Sequence, residues 1–159
     1  DLGASTGGFT EVLLARGAAR VTALDVGRDQ LHPRLAADPR VAAREGVNAR
    51  ALPADLPPPD WITADLSFIS LTRALAPALA RARPGARLVA LVKPQFEAGR
   101  EAVGKGGVVR DPAVHDAVRA QVRAFLEAEG WRVLGETESP ILGADGNREF
   151  LIAAEKPDA

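Results

Sequence analysis

Cysteine is absent from the 159 residues, and so is methionine. Without cysteine there is no disulfide and no thiolate metal site; this says little about compartment beyond permitting the cytoplasm, which is the expected one. The only two histidines, His32 and His115, lie far apart in sequence, so no zinc or other metal centre is expected. The missing methionine leaves out the initiator residue. Because initiator methionine is normally excised only ahead of a small residue, Asp1 reads as a cut end inside a longer protein. No apolar run approaches the roughly 20 residues that span a bilayer, and no signal-peptide pattern is present. Strong charge is missing too. A net charge of −1 gives no global electrostatic signature of a nucleic-acid binder, so any such partner would need a local basic patch or another domain.

The residues that are present describe an ordinary globular domain, 47% hydrophobic and 26% charged, long enough to bury one continuous core. Strand-like and helix-like stretches alternate along it. "DLGA" reads as the tail of a buried strand. "GFTEVLLARGA" reads as a helix with Phe9, Val12, Leu13 and Ala15 on its apolar side and Gly17 as its stop. "RVTALDVG" is a strand running into a turn, "RDQLHPRLAADPR" a weak helix interrupted by Pro33, and "VAAREGVNA" a third, poorly defined strand. After the proline-rich loop "LPADLPPPD" come a strand ending at Asp65 and one helix over "LTRALAPALARARPGA". The apolar strand "RLVALVKPQF" stops at Lys93, because Pro94 cannot continue a central ladder. A long loop then leads to a helix with Asp111 as N-cap, Pro112 in its first turn and Gly130 after its end. "WRVLGETESP" and "NREFLIAAEK" close the chain as two strands joined by "ILGADG".

Alternating β and α elements predict an α/β fold: an open, mostly parallel sheet with helices on both faces. The last two strands have no helix between them and should pair antiparallel. That ending separates Rossmann-like class-I S-adenosylmethionine (SAM) methyltransferases from dinucleotide-binding domains.

The opening loop has the order D-x-G-x-x-x-G-G, not the G-x-G-x-x-G of nicotinamide enzymes. Gly3, Gly7 and Gly8 remove β-carbons where strand becomes helix, so a ligand can approach the backbone, and the amides there favour an anionic group. Asp25, at the end of the next strand, can accept both hydroxyls of a ribose. A tight turn beside a solvated aspartate is the plainer alternative. In this topology Asp65 and Lys93 stand at carboxyl ends of parallel strands, and Glu149 stands at the start of an oppositely running one. All three therefore fall on one rim. Three unrelated surface charges would look the same in sequence.

"DLGASTGGFT", "ADLSFISL", "LVALVKPQFEAGREAVGKGGVVRDPAVH" and "SPILGADGNREFL" together resemble the TlyA (hemolysin A) family of FtsJ-like ribosomal-RNA 2′-O-methyltransferases over almost the whole chain. The resemblance implies SAM as cofactor and ribosomal RNA or a ribosomal subunit as partner. It implies a Lys-Asp-Lys-Glu set, of which Asp65, Lys93 and Glu149 are three members. The first lysine and a small S4-type RNA-binding domain would lie upstream of residue 1. On this reading residues 1–159 are the catalytic core, and a cytidine is the expected target.

Cofactor contacts are expected from Asp1, Gly3, Ala4, Ser5, Gly7, Gly8, Phe9, Asp25, Val26, Asn48 and Asp65. RNA contacts are expected from Phe68 and Phe96, which could stack on a flipped base, and from Lys105 and Arg110 in the long loop. Packing over the core would equally explain either phenylalanine, local backbone bonding would explain Asn48, and a mobile loop would explain Lys105. Lys93 is expected either to act as a base or to stabilise a developing alkoxide as a cation. Three rival functions fit the sequence less well: a non-catalytic RNA- or partner-binding module, a methyltransferase for another substrate, and a membrane-active hemolysin. The last needs an insertion segment, and the best helix, "AVHDAVRAQVRAFLEAEG", has few large apolar groups. Oligomeric state is not legible.

Overall fold

The structure is a computed structural model and describes residues 1–158. Its helices of four residues or more are α1 (Gly8–Ala15), α2 (Pro33–Ala36), α3 (Leu71–Ala74), α4 (Ala76–Arg81), α5 (Pro94–Glu97) and α6 (Pro112–Ala128). Its strands are β1 (Val21–Asp25), β2 (Val41–Glu45), β3 (Trp61–Ala64), β4 (Arg87–Val92), β5 (Arg132–Glu138) and β6 (Phe150–Glu155). β1 pairs parallel with β2, and β3 parallel with β4. β6 inserts between β4 and β5, antiparallel to both, and is the one reversed strand of the ladder.

Residues 1–3 join the two halves of the sheet. Leu2 bridges Leu24 and Ala64 in parallel register, its amide donating to Thr63 O and its carbonyl accepting from Asp65 N–H. The spatial order is therefore β2, β1, residues 1–3, β3, β4, β6, β5, and "DLGA" is the strand tail expected of it. The central strands bury one face fully, with Ala64, Leu88, Ala90, Ile152 and Ala154 at or near zero exposure, while Val89, Leu91, Leu151 and Ala153 on the other face of β4 and β6 are partly buried. The helix α6 covers β4 and β5 with Val118, Val122 and Leu126, which recur at the helical period and are all buried. Arg119 lies over the Phe150 ring, 4.8 Å from its centroid, and fixes this helix on β6.

Three local expectations are corrected. The buried side of α1 is Thr10 and Leu14, one helical turn apart, whereas Val12 is half exposed. A polar anchor decides this: the Thr10 hydroxyl donates to Asp1 Oδ2 at 2.7 Å and turns the helix. Pro33 begins α2 rather than interrupting it, with His32 as N-cap accepting the Arg34 amide on Nδ1 at 3.1 Å. The helix expected after Ser70 runs as α3 and α4, divided at Leu75. Pro77 has no N–H to donate to the carbonyl of Arg73, which removes one rung of the ladder.

Candidate active site

The strand ends meet as the topology requires. Asp65 follows β3, Lys93 follows β4, and Glu149 precedes β6. Val92 pairs with Phe150, so one further step along that antiparallel register sets Lys93 opposite Glu149. Lys93 Nζ lies 2.6 Å from Asp65 Oδ1 and donates to Ser67 Oγ at 3.2 Å. The lysine side chain is 13% exposed and the aspartate 40%, so the ion pair is sheltered on one side and open on the other. Glu149, 8% exposed, does not join this pair directly; its Oε2 accepts from Gln95 Nε2 at 3.0 Å. The three rim residues are thus assembled, with Ser67 and Gln95 holding two of them. A β-carbon on Gly143 would collide with the Glu149 carboxylate, so that glycine lets the last loop close over it.

The glycine loop abuts this rim. Gly3 has φ +70°, and a β-carbon there would collide with the carbonyl oxygen of Asp65. Asp1, whose Oδ1 and Oδ2 accept from the hydroxyls of Thr63 (2.9 Å) and Thr10 (2.7 Å), is the internal clamp of the loop. Ala4 is buried and its amide bonds Leu24 O; Gly8 and Phe9 open α1. Asp25 accepts the Ser5 amide on Oδ2 at 2.7 Å and the Gly27 amide on Oδ1 at 2.8 Å. Val26 projects 71% exposed beside it. Asn48 caps a short turn by accepting the Arg50 amide and stands exposed after β2.

Does this loop fit a nucleoside with a charged amino-acid tail? Its chemistry does: free backbone at the start of α1, and a two-oxygen acceptor in Asp25 one strand away. Its present space is small. The cleft between Ala4–Ser5 and Asp25–Gly27 is also lined by Ala23, Ala43, Gln30 and Leu31 and holds about 10 Å³, the room of roughly one water molecule. Leu31 and Leu35 also lie where a Gly7 side chain would be. Gln30 and Leu31 belong to the segment between β1 and α2.

Two aromatic rings stand at the rim. Phe68 is 90% exposed, adopts φ +64°, and lies 4.9 Å from the Phe96 ring at 55°. A large apolar side chain held outward in a left-handed conformation is strained, and such strain collects at functional positions. Glu97 accepts from Ser70 Oγ (2.6 Å) and from the Leu71 amide (2.8 Å), tying α5 to the start of α3 around those rings. Burial pushes its carboxyl above the usual range. Lys105 and Arg110 are exposed in the long loop, where Arg110 Nη1 donates to Lys105 O at 3.3 Å.

Asn147, 1% exposed, escaped sequence reasoning. Its Oδ1 accepts the Val109 amide, and its Nδ2 donates to Gly107 O and Ala144 O, which stitches the long loop to the loop preceding Glu149. The visible signal was only its place in "GADGNRE". Among the described residues no cluster of three metal-ligating side chains is assembled, and no helix is long and apolar enough to cross a membrane.

Comparison with known proteins identifies the family. A Bacillus subtilis protein provisionally named rRNA methyltransferase YqxC is 50% identical over 155 residues, which cover 96% of this chain and 55% of that protein. The 16S/23S rRNA (cytidine-2′-O)-methyltransferase TlyA of Mycobacterium tuberculosis is 47% identical over 96% of this chain and 58% of its own length. A solved structure from Streptococcus thermophilus, provisionally described as a hemolysin, is 47% identical and superposes with a TM-score of 0.94 over 100% of this chain and 58% of that one. The chain spans somewhat more than half the length of these relatives. Residues 1–156 match the FtsJ-like methyltransferase description, and the chain belongs to that family, with its class-I methyltransferase fold.

Proposed function

We propose that this chain is the catalytic core of a SAM-dependent ribosomal-RNA 2′-O-methyltransferase, working in the cytoplasm, with a cytidine ribose as the acceptor. One observation carries the reading: the Asp65–Lys93 ion pair, 2.6 Å long, stands on the same rim as buried Glu149 and touches the glycine loop through Gly3. The names of the relatives support the RNA substrate.

When bound, SAM supplies an electrophilic sulfonium methyl group. The amides of Thr6, Gly8 and Phe9 would face its carboxylate end, Asp25 would take the ribose hydroxyls, and Val26 and Asn48 would flank the base. Lys93, paired with a carboxylate, enters the reaction as an ammonium and stabilises negative charge growing on the attacking 2′-oxygen. This pairing favours the electrostatic role over the base role. Asp65, open on one side, orients the hydroxyl and takes its proton for release to solvent as the new C–O bond forms and the sulfonium C–S bond breaks, while Gln95 holds Glu149. Phe68 and Phe96 stack on the target base, and Lys105 and Arg110 meet phosphates.

The test is mass-spectrometric mapping of ribose methylation on ribosomal RNA incubated with the natural full-length protein and SAM. A new 2′-O-methyl nucleotide is expected. Unchanged RNA, with SAM bound, would favour a non-catalytic binding module instead.

A further inference from the structure

A second concavity lies beside the rim and shares no residue with the cofactor cleft. It has a volume of about 380 Å³ and is lined chiefly by Val108, Val109, Arg110, Asp145 and Arg148, with Pro112 and His115 behind them. That size falls within the roughly 300–1,000 Å³ of pockets that take small ligands. Its walls are chemically divided. Val108 and Val109 are buried and make an apolar floor. Arg110 and Arg148 bring two guanidinium groups, each held only loosely. Arg110 bonds the Lys105 carbonyl at 3.3 Å, and Arg148 stands 3.7 Å from the exposed Glu138. Asp145, fixed at φ +58°, adds one carboxylate acceptor. The site is also rigidly placed, because Asn147 bonds both of the segments that form it. Arg148 directly precedes Glu149, so the cavity adjoins the reactive rim.

We propose that this cavity is a subsite for an RNA nucleotide flanking the one that is methylated. The inference rests on the RNA reading above and extends it. The two guanidiniums clamp the flanking phosphate, the valine floor takes a sugar or base face, and Asp145 accepts from a ribose hydroxyl or base amine. Apolar walls with paired guanidiniums suit one unstacked nucleotide better than a free anion, which would use the arginines alone.

The experiment measures binding of the natural full-length protein to labelled ribosomal-RNA transcripts across a salt series, with SAM affinity measured by calorimetry. Variants are Arg110→Ala, Arg148→Ala and, as a control at the opposite end of the sheet, Arg132→Ala. Each cavity variant should weaken RNA binding roughly tenfold, about one charge-assisted hydrogen bond. Each should also flatten the slope of log K against log salt by about 0.7 to 1. SAM affinity and the control should not change. Wild-type slope and affinity in both cavity variants would overturn the subsite and the Arg110 phosphate contact while leaving the rest of the RNA reading intact. A wild-type protein that binds no ribosomal RNA would overturn both.

Discussion

Lys93 is anchored from two directions, by Asp65 at 2.6 Å and Ser67 at 3.2 Å. Removing Asp65 leaves a mostly sheltered ammonium without its counter-charge, so Asp65→Ala should lose both stability and turnover. Ser67→Ala removes only a positioning bond, and its effect should fall on the rate of methyl transfer and not on SAM affinity. Residues of a different kind hold the loop. Thr10→Val and Thr63→Val each leave an oxygen of the Asp1 carboxylate without its donor, which should cost about 1–3 kcal/mol in denaturant unfolding. Asn147→Ala strands the Val109 amide and the Gly107 carbonyl, and a loss of similar size is expected. The rim residues themselves were legible in sequence, because strand-end positions follow from the order of elements. Ser67, Gln95 and Asn147 were not, because the bonds that tie them to distant segments join positions 26 to 54 residues apart and no local period records such pairs.

At the scale of elements, the α5–α3 link supplies a pH dependence. The Glu97 carboxyl is raised by burial, opposed by its bonds to Ser70 and Leu71. A carboxyl with a raised folded-state pKa favours the fold fully below its unfolded value, and this contribution is lost as pH rises through the folded value. Thermal unfolding should therefore show wild type losing stability relative to Glu97→Gln as pH climbs from the ordinary carboxylate range toward neutrality. A constant difference across that window would contradict the assignment.

The segment between β1 and α2 supplies a motion. Gln30 and Leu31 line a cleft of about 10 Å³ beside Asp25, and on the SAM reading this segment moves when the nucleoside enters. Hydrogen exchange should change on SAM addition around residues 27–32 and in the glycine loop, and stay unchanged in β5. Exchange in residues 27–32 unaffected by saturating SAM would show that the cleft opens elsewhere. Here the sequence was a partial guide. The strands and α6 were legible from apolar runs and caps, whereas α1 turned on a threonine–aspartate bond and α2 on a proline that starts a helix. Both outcomes were set by tertiary partners or by one residue's position within a turn.

For the whole molecule, one reversed strand organises function. Because β6 runs against β4, its first residues arrive where β3 and β4 end, and a carboxylate, an amine and a second carboxylate share a rim with the glycine loop. The antiparallel close was visible in the missing helix before β6, and its insertion between β4 and β5 gives the register that sets Lys93 opposite Glu149.

The most direct measurement is the rate of methyl transfer to ribosomal RNA by Lys93→Ala in the natural full-length protein at saturating SAM, with SAM affinity measured alongside. The electrostatic role predicts a rate lower by about 10²–10³ and an affinity unchanged. Transfer at the wild-type rate would contradict it.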